Sequence, residues 1–470
     1  MCHSWLMCLT AASCLALAAA AAAAAPNIVF IFADDLGWHD VSWHNEEVVT
    51  PNMQELVESG VMLEQSYVQP LCTPSRSAFM TGFYPFRMGR QGRPLAHSDP
   101  TGLTLEKTIF PETLAQLGYA THAVGKWHLG FCDWSYTPTH RGFDTFYGFY
   151  GGVETYFSHT EKNGYDFRDQ EAVAYEANGT YSAFLFGDRA VEIIENHHDP
   201  TSPFFLYLAM QNVHTPLVVP EEYLAYYPDE ADPNRQTVLA MVTVLDEQVG
   251  RVVEALKASG HYQNTLIVFS TDNGGTKIGA SNYPLKGSKM TLWEGGTRGA
   301  AFIHGPLLEN TPRVHEGLLH VTDWFNTFLA IAGATELPSN DGYNQWDALR
   351  TGTVPSPRSK FIYNLNVNSD NSIEGAIRVG DLKYLKGVSD DTNDTSSFLY
   401  NIWADPNEEH NLLEVEWQVA LELEALLLAE LPSLLPVDVP DADPDSDPVN
   451  YGGVWTPGWC DPLSPEALLA

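Results

Sequence analysis

Residues 28–32 read Ile-Val-Phe-Ile-Phe, five apolar side chains in succession. A strand without polar alternation has no face to give to water, so it must be covered on both sides. Residues 204–209 and 266–271 are runs of the same kind, and 119–124 reads as a further strand. Segments of helical period separate them. In the clearest, 238–257, Val238, Met241, Val242, Leu245, Val249, Val252, Val253 and Leu256 share one face, and Gly260 follows as the stop. A helix is also expected from Pro51, with Thr50 as its N-cap, and another just after Cys72, where Pro74 suits a first turn. Doubly covered strands alternating with helices predict an α/β fold, a mostly parallel sheet with helices on both faces. After about Pro355 the pattern changes to short strands at 360–365, 376–379, 383–385 and 398–401, then a helix near 415–431. This predicts a small antiparallel sheet with one helix, followed by a Pro- and Asp-rich extended arm. The expected division is 1–25, 26–354 and 355–470.

Residues 5–25 are apolar, carry no Lys, Arg, Asp or Glu, and end in an Ala run, so 1–25 reads as a cleaved signal peptide. The first strand follows too closely for 1–25 to serve as a membrane anchor, and no stable membrane insertion is expected. Export to the secretory pathway, with lysosomal or extracellular residence, follows from this reading. Of six Cys, three (Cys2, Cys8 and Cys14) leave with the signal. The odd remainder, Cys72, Cys132 and Cys460, suggests one chemically special Cys and a Cys132–Cys460 disulfide if geometry allows it. The sequons Asn178-Gly-Thr and Asn393-Asp-Thr agree with that route. Against 24 Lys and Arg stand 60 Asp and Glu, a net charge of −36. Nucleic-acid binding through bulk electrostatics is thereby excluded. An anionic substrate would need basic residues gathered locally.

Two of the apolar strands end in oxygen-bearing pairs, Asp34-Asp35 and Asp272-Asn273. Ligands of open parallel sheets gather beyond the carboxyl ends of strands. Either pair alone could be a turn or a helix cap; two in the same kind of place point to a hard divalent cation, Ca²⁺ or Mg²⁺. Taken alone, Cys72 could be a structural thiol or a nucleophile. Its surroundings say more: Cys72-Thr-Pro-Ser-Arg76, then apolar residues and Thr81-Gly82. With it come Gly-Lys126-Trp-His128-Leu-Gly, Asp34-Asp35-Leu-Gly-Trp and Asp405-Pro-Asn-Glu-Glu-His-Asn-Leu.

These motifs together resemble the type I, formylglycine-dependent sulfatases. The likeness runs from about residue 26 to near the C-terminus and looks strongest toward arylsulfatase B, the N-acetylgalactosamine-4-sulfatase branch. It implies an alkaline-phosphatase-like fold and a sulfuric ester hydrolase acting on sulfated glycans or small sulfate esters. It also implies that a formylglycine-generating enzyme oxidises Cys72 to an aldehyde. The hydrated aldehyde would attack sulfur through one hydroxyl, and the other would allow sulfate to be eliminated, which a serine cannot do. One Ca²⁺, with Mg²⁺ as the alternative, would be held by Asp34, Asp35, Asp272, Asn273 and the group derived from Cys72. Arg76 and Lys126 would orient that group and balance its charge. His128, on the same face as Lys126 if the segment is extended, would take a proton. His214 and Lys289 would hold the sulfate and help protonate the leaving oxygen. Lys286 competes with Lys289, but the spacing to Trp-Glu-Gly-Gly favours Lys289. Phosphohydrolases of the same superfamily, which use Ser or Thr and often two metals, formylglycine phosphonate hydrolases and a non-catalytic glycan-binding protein are the alternative readings. Phe83, Phe86, Arg87, Arg90 and the loops 161–175 and 278–283 either line the substrate pocket or pack elsewhere. Oligomeric state is left open.

Overall fold

The computed structural model describes residues 25–199, 201–389 and 395–462. Five parallel strands form the middle of a ten-stranded sheet, in the order Thr265–Thr271, Asn27–Ala33, Phe204–Ala209, Ala120–Lys126, Thr145–Phe149. Side chains alternate across them into two cores. Val29, Ile31, Leu206, Leu208, Ile267 and Phe269 meet the helices Ser182–Asn196 and Pro233–Ala258 on one face. Ile28, Phe30, Phe32, Phe205, Leu266 and Val268 meet the helices Cys72–Thr81, Phe110–Gln116 and Asp323–Ile331 on the other. The α/β expectation therefore holds. The antiparallel strand Ala301–His304 and the short strands flanking both ends of the sheet were not foreseen, being too brief to show a period.

The helix Pro51–Ser59 starts where expected, but Thr50 does not cap it. The Thr50 hydroxyl is engaged by Ser42 instead, accepting from its backbone N–H at 3.1 Å. The orphan N–H groups of Asn52 and Met53 donate to the Asp246 carboxylate, at 3.1 and 2.7 Å, from the long helix opposite. A cap supplied across a helix–helix contact has no local sequence signature.

The second sheet is antiparallel, in the order Lys360–Val367, Ile373–Val379, Leu382–Ser389, Thr395–Asn401, with the helix Trp417–Leu428 packed against it through Ala420, Leu423 and Leu427. Its strands extend past the predicted stretches because residues such as Asn366 and Glu374, only partly covered, continue the ladder. The chain then runs back over the first sheet. Leu435 N–H donates to Phe86 O at 2.8 Å, and Trp455 Nε1 donates to Glu161 O at 3.0 Å. Cys132 and Cys460 form a disulfide across 328 residues, with their Cα atoms 5.4 Å apart. Arg87 and Arg90 are tied into this return, pairing with Glu430 at 2.7 Å and Asp438 at 2.6 Å, and the cavity that Arg87 lines with Tyr84, Asp341 and Arg358 holds none of the predicted active-site residues. Among the described residues, no helix is long and apolar enough to cross a membrane. All but the last residue of the expected signal peptide, 1–25, and Asn393 of the second sequon lie outside the described residues; Asn178 is exposed.

Candidate active site

In the sheet register Ala33 lies opposite Thr271, so the chain leaves two neighbouring strands at the same level. That is why Asp34-Asp35 and Asp272-Asn273 meet. Asp272 N–H donates to Ala33 O at 2.9 Å, and Asn273 Nδ2 donates to Asp35 Oδ1 at 2.7 Å. All four side chains are buried. Burial alone would raise the pKa of Asp34. Lys126, then His214, Arg76 and Lys289, outweigh it and hold Asp34 well below the carboxylate range. For Asp272, burial and then the Asp34 charge prevail and push it up to about 7. The two carboxylates thus share the same neighbouring cations unequally. Asp34 Oδ1 and Asn273 Oδ1 are also buried with no hydrogen-bond partner among the described residues. Crowded carboxylates and unpartnered hard oxygens fit a divalent cation. Asp34, Asp35 and His214 each bring a ligand atom to within 4.8 Å of the others, so His214 borders this corner.

Cys72 begins a helix of ten residues, all buried, that ends at Gly82 in the left-handed region (φ 72°). Its first turn is fixed from several sides. Gln69 N–H donates to Ser75 Oγ at 2.8 Å, and Met290 N–H donates to Pro70 O at 2.8 Å. Thr73 Oγ1 donates to His128 O at 3.2 Å and accepts from Leu95 N–H at 3.2 Å. One turn on, Arg76 is completely buried and donates to Asp272 Oδ2 through Nε (3.0 Å) and Nη2 (2.8 Å). Its Nη1 donates to Lys126 O at 3.1 Å and to Tyr207 Oη at 3.2 Å. Lys126 Nζ pairs with Asp34 Oδ2. Burial pushes the Cys72 thiol up, while Lys126 and Lys289 pull it the other way. An unmodified Cys72 is therefore a poor thiolate at neutral pH.

The site opens where Lys289 and His214 stand, with side chains 13% and 14% exposed against 0% for Arg76, Lys126 and Asp34. Lys289 Nζ lies 2.5 Å from Asp35 Oδ1, and His214 Nε2 lies 3.7 Å from Asp35 Oδ2. Lys286 is turned away, its Nζ 3.8 Å from the centre of the Trp293 ring. His214 Nδ1 is 2.6 Å from Thr215 O. A carbonyl only accepts, so Nδ1 carries a proton, and Nε2 can donate to a sulfate oxygen once the ring is protonated. Burial lowers its pKa.

His128 is reached differently from expectation. The strand ends at Lys126, and His128 has a left-handed backbone (φ 58°), so the two do not share a face of one extended segment. His128 Nε2 is 2.9 Å from Leu95 O, and its buried Nδ1 has no partner among the described residues. Burial, then Lys126 and Arg76, holds this imidazole well below 6.5. It is a neutral ring with a free lone pair, able to accept a proton. Tyr207 was missed from the sequence, although a hydroxyl within the apolar strand Phe204–Ala209 was the available clue. Leu95 O, a backbone atom, left no such clue.

The Sulfatase family profile matches residues 26–334, more than half of the chain. The chain belongs to the sulfatase family. Mouse arylsulfatase J is 38% identical over 92% of this sulfatase and 80% of its own length. Human arylsulfatase A is 31% identical over 83% of each chain, and mouse N-acetylgalactosamine-6-sulfatase is 31% identical over 69% of this chain and 66% of that one. Among solved structures, Ps i-CgsB in complex with k-i-k-neocarrahexaose superposes with a TM-score of 0.80 at 31% identity, covering 88% of this chain and 94% of that chain. These likenesses fall on several branches and establish the family rather than the arylsulfatase B branch. The protein is thus an enzyme that hydrolyses sulfate esters, and membership of the family implies a formylglycine and a metal.

Proposed function

We propose that this sulfatase cleaves N-acetylgalactosamine-4-sulfate-like esters in sulfated glycans, and small aryl sulfates, using formylglycine made from Cys72 by a formylglycine-generating enzyme. One observation carries the reading. In a chain of net charge −36, Cys72 stands on a fully buried turn within the influence of Lys126 and Lys289. Asp34, Asp35, Asp272, Asn273 and residue 72 hold one divalent cation, Ca²⁺ in this reading, which when bound supplies Lewis-acid charge to the sulfate oxygens. Arg76 fixes Asp272, and Lys126 fixes Asp34 while adding positive charge beside residue 72. His128 accepts a proton at Nδ1. His214 and Lys289, at the opening, bind the sulfate group, and Lys289 Nζ has protons to give to the departing oxygen. A sulfated-glycan substrate is supported by the relative named N-acetylgalactosamine-6-sulfatase and by the oligosaccharide complex of Ps i-CgsB. The catalytic unit is 26–354; 355–470 covers its flank. The mature protein acts in the lysosome or outside the cell.

Sulfate release from 4- and 6-sulfated N-acetylgalactosamine and from an aryl sulfate tests this directly. The 4-sulfate is expected to have the highest kcat/KM. Chelation should lower activity about 10²-fold or more, Ca²⁺ or Mg²⁺ should restore it, and Ca²⁺ should raise the melting temperature of the chelated protein. Preference for the 6-sulfate would overturn the regiochemistry, and full activity without metal would remove the cation.

A further inference from the structure

The motif Asp405–Leu412 lies in the C-terminal part of the chain and contributes none of the residues placed at the reacting end. We infer that its Glu408 is a positioning residue for Lys289, acting through Glu294. This rests on the reading that Lys289 binds the sulfate group.

Backbone bonds tie the segment carrying Lys289 to Glu294–Gly296 and to the turn after Asn273. Lys289 N–H donates to Gly275 O at 3.0 Å, Gly295 N–H to Lys286 O at 2.7 Å, and Gly274 N–H to Gly296 O at 3.0 Å. Glu294–Gly296 therefore grips both the lysine loop and the backbone just after Asn273. The packing leaves no room for side chains. A Cβ on Gly274 would meet Gly295 O at 1.9 Å, and one on Gly296 would meet Thr291 O at 2.2 Å. With so little slack, a displacement of Glu294 is expected to reach Lys289.

Glu294 is itself held from the second sheet, from the motif that follows it and from Tyr67. Its Oε1 accepts from Lys383 Nζ at 2.9 Å and Tyr363 Oη at 2.8 Å, and its Oε2 accepts from Tyr67 Oη at 2.8 Å. Its backbone N–H donates to Glu408 Oε2 at 2.8 Å, and Glu408 Oε1 pairs with Lys383 Nζ at 2.8 Å. Glu294, Glu408 and Lys383 form a buried triad. The rest of the motif aims Glu408 inward. Asp405 O accepts from Glu408 N–H at 3.2 Å, the Asp405 carboxylate accepts from the N–H groups of Glu409 (3.1 Å) and His410 (2.8 Å), and Asn411 Oδ1 accepts from Leu399 N–H at 3.1 Å. Glu408 has a left-handed backbone (φ 57°), a costly conformation for a residue with a long side chain. The motif maintains it, and the side chain it directs reaches the segment that sets Lys289.

The test compares Glu408→Ala, Glu408→Gln, Tyr363→Phe, Lys289→Ala and Lys386→Ala on an aryl sulfate, with inhibition by inorganic sulfate as a second readout. Lys386, on the strand that carries Lys383, pairs with Glu424 of the helix Trp417–Leu428 at 2.7 Å, is partly exposed and makes no contact with Glu294 or Glu408 among those described, and serves as the control for general weakening. At a temperature where all are folded, Glu408→Ala is expected to lower kcat about 10- to 100-fold and weaken sulfate inhibition, as a misplaced binding group does. Glu408→Gln keeps an acceptor for the Glu294 N–H and should recover part of the loss. Tyr363→Phe, which removes one hydrogen bond, should show the same pattern several-fold weaker and carries the test if Glu408→Ala does not fold. Lys386→Ala should keep parental kcat. If both Glu408→Ala and Tyr363→Phe, or Tyr363→Phe alone where Glu408→Ala is unfolded, match the parent in kcat and sulfate inhibition while Lys289→Ala does not, the positioning role is wrong. If Lys289→Ala itself leaves sulfate inhibition unchanged, the reading of Lys289 beneath it is wrong.

Discussion

Cys72→Ser is expected to abolish turnover, with kcat down by at least about 10⁴-fold, the scale seen when a nucleophile is removed. A small, 1%-exposed side chain is exchanged for one of nearly the same size, so the fold should survive. Lys126, His214 and Lys289 remain, and with them the binding of sulfate esters. Serine offers one hydroxyl. If its oxygen attacks sulfur, the bond from sulfur to the leaving oxygen breaks and the proton departs with the alcohol. A serine sulfate ester remains, with no second hydroxyl to expel it. Rapid-quench assays with an aryl sulfate should therefore show no more than one alcohol released per chain. Repeated turnover by this variant would contradict the proposed role of residue 72.

Arg76→Met should cost about 3–5 kcal/mol of folding stability, the range found when one partner of a buried pair is removed. The reason is specific to this corner. Arg76 makes two hydrogen bonds to Asp272 Oδ2, and its Nη2 lies 3.6 Å from Asp34 Oδ2. Without it Asp272, already pushed up to about 7, loses its direct cation while its own side chain has no access to water. Bound Ca²⁺ would supply part of the missing charge, so the loss should be larger in chelated protein. Denaturant unfolding with and without Ca²⁺ measures both. A loss below about 1 kcal/mol, the worth of an exposed pair, would show that Arg76 does not hold this corner together.

Much of this was legible in the sequence because the sheet uses its strands in the simplest way. Runs such as 28–32 are apolar at every position because both faces are covered, and the pairs Asp34-Asp35 and Asp272-Asn273 follow two such strands that turn out to be neighbours. Strand order is not written in either strand, so their meeting could only be inferred from both being strand ends. Groups that act through backbone geometry were hidden: the left-handed turn at His128, the Leu95 carbonyl and the cross-helix cap by Asp246. The roles of Arg87 and Arg90 depended on where the C-terminal arm returns, a contact spanning more than 300 residues that no local pattern encodes.

The most direct test of the account is mass spectrometry of the peptide containing Cys72, from protein made in a host that carries a formylglycine-generating enzyme. Replacing CH₂SH by CHO should make that peptide about 18 Da lighter than the thiol form. Finding that species in the active fraction is the predicted result. An active protein in which Cys72 remains an unmodified thiol would contradict it.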